Sequence, residues 1–376
     1  ELLYPSIGTV FLLIFLFPIV AFTNNANVIL KLSGIFLIFL SFFSYKNIVS
    51  LFTKIYFLKN KDLFLYILII FIILYFFLSL SPLTSADVLD YHAGTALNIL
   101  RLDQYKLFPE WFTGQQSGTG EVLIALGFSV GSEQFGSLVQ FTSILTITGI
   151  ITKFSEKNKI FDSNYFLVLT ILSCPILIFL LSGNKPQIFY SSILLVSFAL
   201  NFIKYKDQSE IFKVYVLINI LLSCAVLGKF SFNLTGGIIW TYTTINFLNK
   251  TKNLKILFIP IFIFISIYLP FLFWKVSNLG GSIFMYMFSP FPLHLPGYET
   301  FLNHNKGSQE IPFPNFLFYT TPSRITEFLG LTSVFFVILI LNFRQDKNLK
   351  YIILIILLFL VVSNLYASPS ARYYLD

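Results

Sequence analysis

Residues 81–103 read SPLTSADVLDYHAGTALNILRLD, straight after the apolar run LFLYILIIFIILYFFLSL. Asp87, Asp90, Tyr91 and His92 therefore crowd together where a membrane-spanning helix would end. A carboxylate at such a boundary can take a proton from a hydroxyl. In a chain this poor in charge it is a functional candidate by default. The following FPEWFTGQQSGTGEVL adds Glu110, Trp111 and Glu121 beside glycines, which permit close backbone approach. Isolated cations accompany them: Lys185, Lys229, Lys275, Lys306, Arg324 and Arg372. An acidic site ringed by single cations suits a transfer in which a carboxylate deprotonates an acceptor hydroxyl while cations hold a departing phosphate. A plainer reading stands beside it. Asp87 in a first helical turn would complement the helix dipole, and His92 would be an ordinary hydrogen-bonded helix residue.

The elements that must position these residues are membrane helices. The chain has 376 residues, 56% hydrophobic and only 11% charged, where a soluble domain carries roughly a quarter charged residues. Apolar runs of spanning length fall at 6–22, 28–45, 63–81, 134–152, 163–182, 187–203, 211–228, 231–248, 256–275, 327–343 and 349–365. The fold class is thus all-α: a polytopic transmembrane bundle of about 11 spans in one domain. Connections 46–62, 153–159, 204–213, 250–255 and 344–350 are basic and alternate strictly with lysine-poor ones. Positive connections stay in the cytoplasm, so the lysine-poor ones face outward. Two outer loops are long, at 82–133 and 276–326. In the first, Leu89, Ala93, Ala96, Leu97 and Leu100 form an apolar stripe, which predicts an amphipathic helix along the outer membrane surface, capped by Thr84 or Ser85. Within the same loop, EVLIALGFSV reads as a short re-entrant or lateral helix. The second loop, rich in proline and aromatics, reads as a lid at the membrane interface.

The net charge of +8 does not point to nucleic acid, because the lysines sit in short connections where topology explains them. Cys174 and Cys224 lie inside apolar segments and make neither a disulfide framework nor a zinc site. His92, His294 and His304 lack the tight spacing of metal ligands; no metal or cofactor is expected, and a divalent cation could enter only through aspartate and phosphate oxygens. Lys185 and Lys229 could grip a phosphate or simply snorkel to the interface. Arg372, beside Tyr373, offers the guanidinium fork that suits phosphate, or an interfacial anchor. The chain starts at Glu1 and stops at SARYYLD, which reads as a fragment. Its Phe, Ile, Lys and Asn bias is that of an AT-rich bacterial genome.

The pattern DVLDYHAGTALNIL after an apolar run resembles the first outer loop of bacterial GT-C type integral-membrane glycosyltransferases, relatives of the protein mannosyltransferases and the lipid A aminoarabinose transferase. The resemblance implies that Asp87 takes the position of that family's loop carboxylate, with Tyr91 and His92 as the Tyr-His that follows it. Asp90, three residues on, is the other candidate base. Glu121 in GTGEVLIALG is similar to the glutamate that opens the next helix. AVLGKFSFNLTG resembles a span carrying one lysine, here Lys229, and SPSARYYLD resembles a late Arg-Tyr segment, here Arg372 and Tyr373. FMYMFSPFPLHLPGY resembles a proline-rich loop that covers the site.

What the resemblance implies is an inverting membrane glycosyltransferase in the bacterial inner membrane, with its site on the periplasmic face. Its partners would be the lipid bilayer, a polyprenyl-phosphate sugar donor, and a lipid-linked glycan, lipopolysaccharide or protein acceptor. Two other classes fit a many-span chain. A flippase of lipid-linked sugars would place charges at mid-span along a transport path, whereas here the acidic residues concentrate outside the spans. An O-antigen polymerase or ligase would lean on outer-loop arginines, and the second loop carries only Arg324.

Overall fold

The computed structural model describes residues 3–56, 62–86, 88–158, 165–203, 205, 207–229, 232–252 and 254–288. These residues are helical, with no strand among them. Five helices are long and apolar enough to cross a membrane: α1 (Tyr4–Phe22), the Ala26–Ser44 part of α2 (Ala26–Tyr56), α6 (Phe135–Asn158), α10 (Gln208–Gly228) and α12 (Phe258–Leu279). This is the pattern of a multi-pass membrane protein.

The other expected spans fare differently. α3 (Leu63–Ser79) and α9 (Gln187–Leu200) occur but are shorter, at 17 and 14 residues. α11 (Phe232–Thr251) has the length but is threaded with threonine and asparagine, and it is not among the five. The run at 163–182 is not one helix. It is broken into α7 (Phe166–Leu172) and α8 (Pro175–Leu181), because Pro175 brings no N–H and drives Cys174 into an extended conformation at ψ 115°. The Tyr75 hydroxyl of α3 donates to the Leu172 carbonyl at that break. The expected spans at 327–343 and 349–365, with most of the second outer loop, lie outside the described residues.

The first long connection, 82–133, holds two helices, one lying partly exposed and one buried. A π-helical turn at Val88–His92 leads into α4 (Ala93–Leu102). Of the apolar stripe expected here, Ala93 and Ala96 are buried and Leu100 packs against the core, while Leu89 and Leu97 are exposed; Val88, His92, Thr95 and Ile99 are buried as well. The wide π turn adds a residue to the helical period and so rotates the seam. The expected re-entrant or lateral helix is α5 (Gly120–Ser129). It is buried on every side from Gly120 to Gly127 and packs against α1, α2, α4 and α6. A helix that is apolar all round belongs in a core.

Polar contacts fix how the helices meet. Ser6 of α1 bonds Thr146 of α6 at 3.2 Å and Ser192 of α9 at 3.5 Å, the hydroxyl bridging common between helices that lack a hydrophobic driving force in lipid. Gln140 of α6 accepts from the Phe189 N–H at 3.0 Å and satisfies an orphan donor in the first turn of α9.

The lysine-poor connections meet at one end of the bundle. The Asp103 carboxylate accepts from the Asn27 N–H at 2.6 Å, and its carbonyl accepts from the Ala26 N–H at 3.0 Å, which caps α2. Asn278 at the end of α12 accepts from the Leu107 N–H at 3.0 Å, and the Trp274 indole donates to the Tyr105 carbonyl at 2.7 Å. At the basic end, the Lys250 ammonium sits 5.3 Å from the Tyr205 ring centroid, so connections 204–213 and 250–255 also share a side. Two of the five basic connections thus lie together among the described residues. Cys174 and Cys224 are both buried, so single introduced cysteines report without background. A membrane-impermeant maleimide should label Gln116→Cys in intact cells and label Glu156→Cys only after permeabilisation. The reverse order would invert the topology.

Candidate active site

The π turn sorts its side chains by function. Asp90 points outward, and both of its oxygens are engaged: Oδ1 accepts from the Trp111 indole at 3.1 Å and Oδ2 from the Thr113 hydroxyl at 2.6 Å. Asp90 thereby ties the 108–114 segment to the start of α4. The Trp111 ring lies between Gly94 and Gly114, and a methyl group on Gly114 would sit 2.5 Å from it. Tyr91 stands against the next residue, its ring 4.2 Å from that of His92.

His92 turns inward. Its Nδ1 lies 2.6 Å from Glu121 Oε1, and Glu121 Oε2 accepts from the Gly118 N–H at 2.7 Å. Glu121 is only 2% exposed, and it sits in the first turn of α5, where the helix dipole favours an anion. The turn that carries it, Ser117–Gly120, is held on all sides. Ser117 bonds Thr95 at 2.9 Å, the Tyr105 hydroxyl donates to the Gly118 carbonyl at 2.6 Å, and Thr119 bonds the Tyr190 hydroxyl at 2.6 Å. Burial holds the Tyr105 phenol well above its ordinary range, with the Glu121 charge adding to the effect, so it stays a donor at any physiological pH.

Lys275 closes the site from α12. Its Nζ donates to the Ser117 carbonyl at 2.9 Å and to the Gln115 carbonyl. The rings of Trp274 and Phe271 lie 5.1 and 5.5 Å from the nitrogen, within cation–π range. Its charge also acts on Glu121. Lys275 belongs to the site, although the pattern of the sequence marks it only as a cation at a span end. The expected span stops at 275, whereas α12 runs to Leu279 and carries this lysine one turn inside the protein. A lysine set in FLFWKVSNL, between aromatic residues, is the signal that could have found it.

Two of the expected cations line the neighbouring connections. Lys185 is 6% exposed, with its nitrogen 4.4 Å from the Phe179 ring. Lys229 ends α10 and donates to Gln187 Oε1 at 3.0 Å. Both connections touch the glutamate turn. A methyl group on Gly118 would meet the Leu227 carbonyl oxygen at 2.8 Å, and one on Gly120 would meet Pro186 at 2.3 Å. Val88 packs on Gly183 in the same way. His92, Glu121, Lys185, Lys229 and Lys275 therefore belong to one cluster of connections. Asp87, Arg372 and Tyr373 lie outside the described residues. Among the described residues no group of three or more His, Cys, Asp or Glu could hold a metal ion.

The chemistry open to this cluster is that of a buried carboxylate–imidazole pair with amines near it, at one end of a membrane bundle. The pair can hold or orient a hydroxyl, and the amines can face an anion. Lys275→Met should strand the two carbonyls and remove an amine whose charge interacts with Glu121, at a cost of about 3 kcal/mol. The midpoint of thermal unfolding, followed by tryptophan fluorescence in detergent, should fall by several degrees. An unchanged midpoint would show that Lys275 does not hold the loop.

No curated protein and no solved structure matches the chain. The DUF1420 N-terminal domain is the family whose model matches, over residues 37–376, and the chain belongs to that family.

Proposed function

We propose that the chain is a membrane glycosyltransferase of GT-C type, with about eleven spans, working on the periplasmic face of a bacterial inner membrane. It takes a sugar from a polyprenyl-phosphate donor and passes it to a hydroxyl of a lipid-linked glycan, a lipopolysaccharide or a protein. The observation that carries this reading is the gathering of His92, Glu121, Lys185, Lys229 and Lys275 at one end of the described helices, beside the turn at Val88–His92 that follows Asp87 in the sequence.

In this reading the acceptor oxygen attacks the anomeric carbon from the face opposite the phosphate. A carbon–oxygen bond to the acceptor forms as the bond to the phosphate oxygen breaks. The acceptor proton goes to the Asp87 carboxylate, and the electron pair leaves with the phosphate. Lys185, Lys229 and Arg372 hold that phosphate, with Tyr373 beside it, while Tyr91, His92 and Glu121 shape the pocket. Asp87 is preferred to Asp90 as the base because both Asp90 oxygens already accept hydrogen bonds that hold the loop.

A transfer assay in membranes with radiolabelled polyprenyl-phosphate sugars tests the reading. Asp87→Asn should lose ~10²-fold or more of the transfer rate. Asp90→Asn, which keeps an acceptor oxygen, should retain most of it. Full transfer by both variants would remove the carboxylate base from the mechanism. Movement of the labelled lipid across the bilayer with no new glycosidic bond would make the protein a flippase instead.

A further inference from the structure

The cluster is closed. Glu121 is 2% exposed, Lys275 3%, Lys185 6% and His92 9%. A ligand reaches these side chains only when part of the protein moves. Among the described residues, the last part of α12, residues 271–279, combines a hold on the site, room to move and a hinge.

The hold runs through one face of the segment. Trp274 donates to the Tyr105 carbonyl at 2.7 Å, and Lys275 to the Ser117 carbonyl at 2.9 Å and to that of Gln115. Asn278 accepts from the Leu107 N–H at 3.0 Å. These bonds fasten the connection that leads into the Glu121 turn. The room lies on the other face. Phe273 and Ser277, with Pro270 below them, line a groove of about 640 Å³ whose far wall is Pro18 and Phe22 of α1. At 3.6 residues per turn the two faces of α12 point about 140° apart. Phe273 and Phe22 are 48% and 56% exposed, so the groove opens on the surface between two helices of spanning length. Lipid chains in such a groove yield to a moving helix, whereas a close-packed interior does not.

The hinge is written in the sequence at both ends of the segment. Pro270 sits inside α12. It brings no N–H for the Ser266 carbonyl, so the helix is untied at the foot of the segment. Beyond the other end, Gly280 and Gly281 take φ of 71° and 82°, a region that glycine enters without strain. A few such positions absorb the dihedral change while the stretch between them stays rigid.

We propose that residues 271–279 of α12 are a hinged strap. The strap turns about Pro270 and the Gly280–Gly281 pair into the α1–α12 groove, and so uncovers the His92–Glu121 site. The role of that opening, to admit a substrate, rests on the glycosyl-transfer reading; the movement itself does not. Closure restores the bonds to Tyr105, Leu107, Gln115 and Ser117 and shuts water out of the site.

Hydrogen exchange of the full chain in lipid nanodiscs, read by mass spectrometry, follows the opening through the amides of residues 114–121. Pro270→Ala, which supplies the missing N–H, should slow them about tenfold, the effect of one hydrogen bond. The turn at 130–134 should keep its rate. Ser277→Phe, which fills the groove, should slow the same amides. Asn278→Ala, which frees the Leu107 N–H, should speed them. Exchange at 114–121 that ignores both Pro270→Ala and Ser277→Phe would overturn the proposal. So would equal slowing of the 130–134 turn, the mark of a general gain in stability. The two readings fail separately. A strap that opens in a protein with no transfer activity keeps the hinge and discards the transferase. Sugar transfer with exchange indifferent to both variants discards the hinge alone.

Discussion

A single buried carboxylate organises one end of the described helices. Glu121 has almost no access to water, so its two oxygens must be satisfied within the fold. One accepts from the backbone of its own turn and the other meets the imidazole of a helix twenty-nine residues earlier. Leaving either bond unmade would carry the full desolvation penalty of a charged group. The glutamate therefore fixes the start of α5 against the π turn ahead of α4. Every other contact of the site is arranged around that join. Lys275 holds the preceding strand of loop by its carbonyls, Tyr105 holds the Gly118 carbonyl, and Thr119 meets Tyr190.

Glycine gives this arrangement its density. The Ser117–Gly120 turn runs so close to the end of α10 and to Pro186 that a side chain on Gly118 or Gly120 would collide with them. Three connections that are far apart in sequence thus share one small volume, and the lysines they carry come with them. The alternation of basic and lysine-poor connections is a topological signal, yet its consequence is chemical. It decides which single cations end up beside the carboxylates.

Much of this frame is legible in the residue order, and the reasons for the rest are specific. Apolar length marks α1, α2, α6, α10 and α12, because a bilayer sets one length for all spans. The sharing of ends follows from lysine placement. The break at Pro175 was also written in the sequence, but the apolar count across 163–182 hides it, since proline in lipid is compatible with a span whenever neighbours satisfy the freed groups. The π turn has no compositional mark. One additional residue in the period leaves Leu89 and Leu97 of the stripe outside the core, while Ala93 and Ala96 stay buried. His92 and Glu121 were each legible as candidates, but not as a pair, since nothing local links residues so far apart. Asp90 carried the opposite difficulty. It looks like a free carboxylate until its partners at Trp111 and Thr113 are seen.

The interruption between α7 and α8 has one more implication. Inside hydrocarbon a backbone carbonyl cannot turn to solvent, so wherever a span is cut the liberated oxygen must be met by protein. Tyr75 reaches across from α3 to supply the donor for Leu172. That phenol works as a rivet: α3 cannot drift away from the break without leaving a buried carbonyl oxygen unpaired. The two short helices on either side of the break are therefore bound to sit against α3, which packs on both of them.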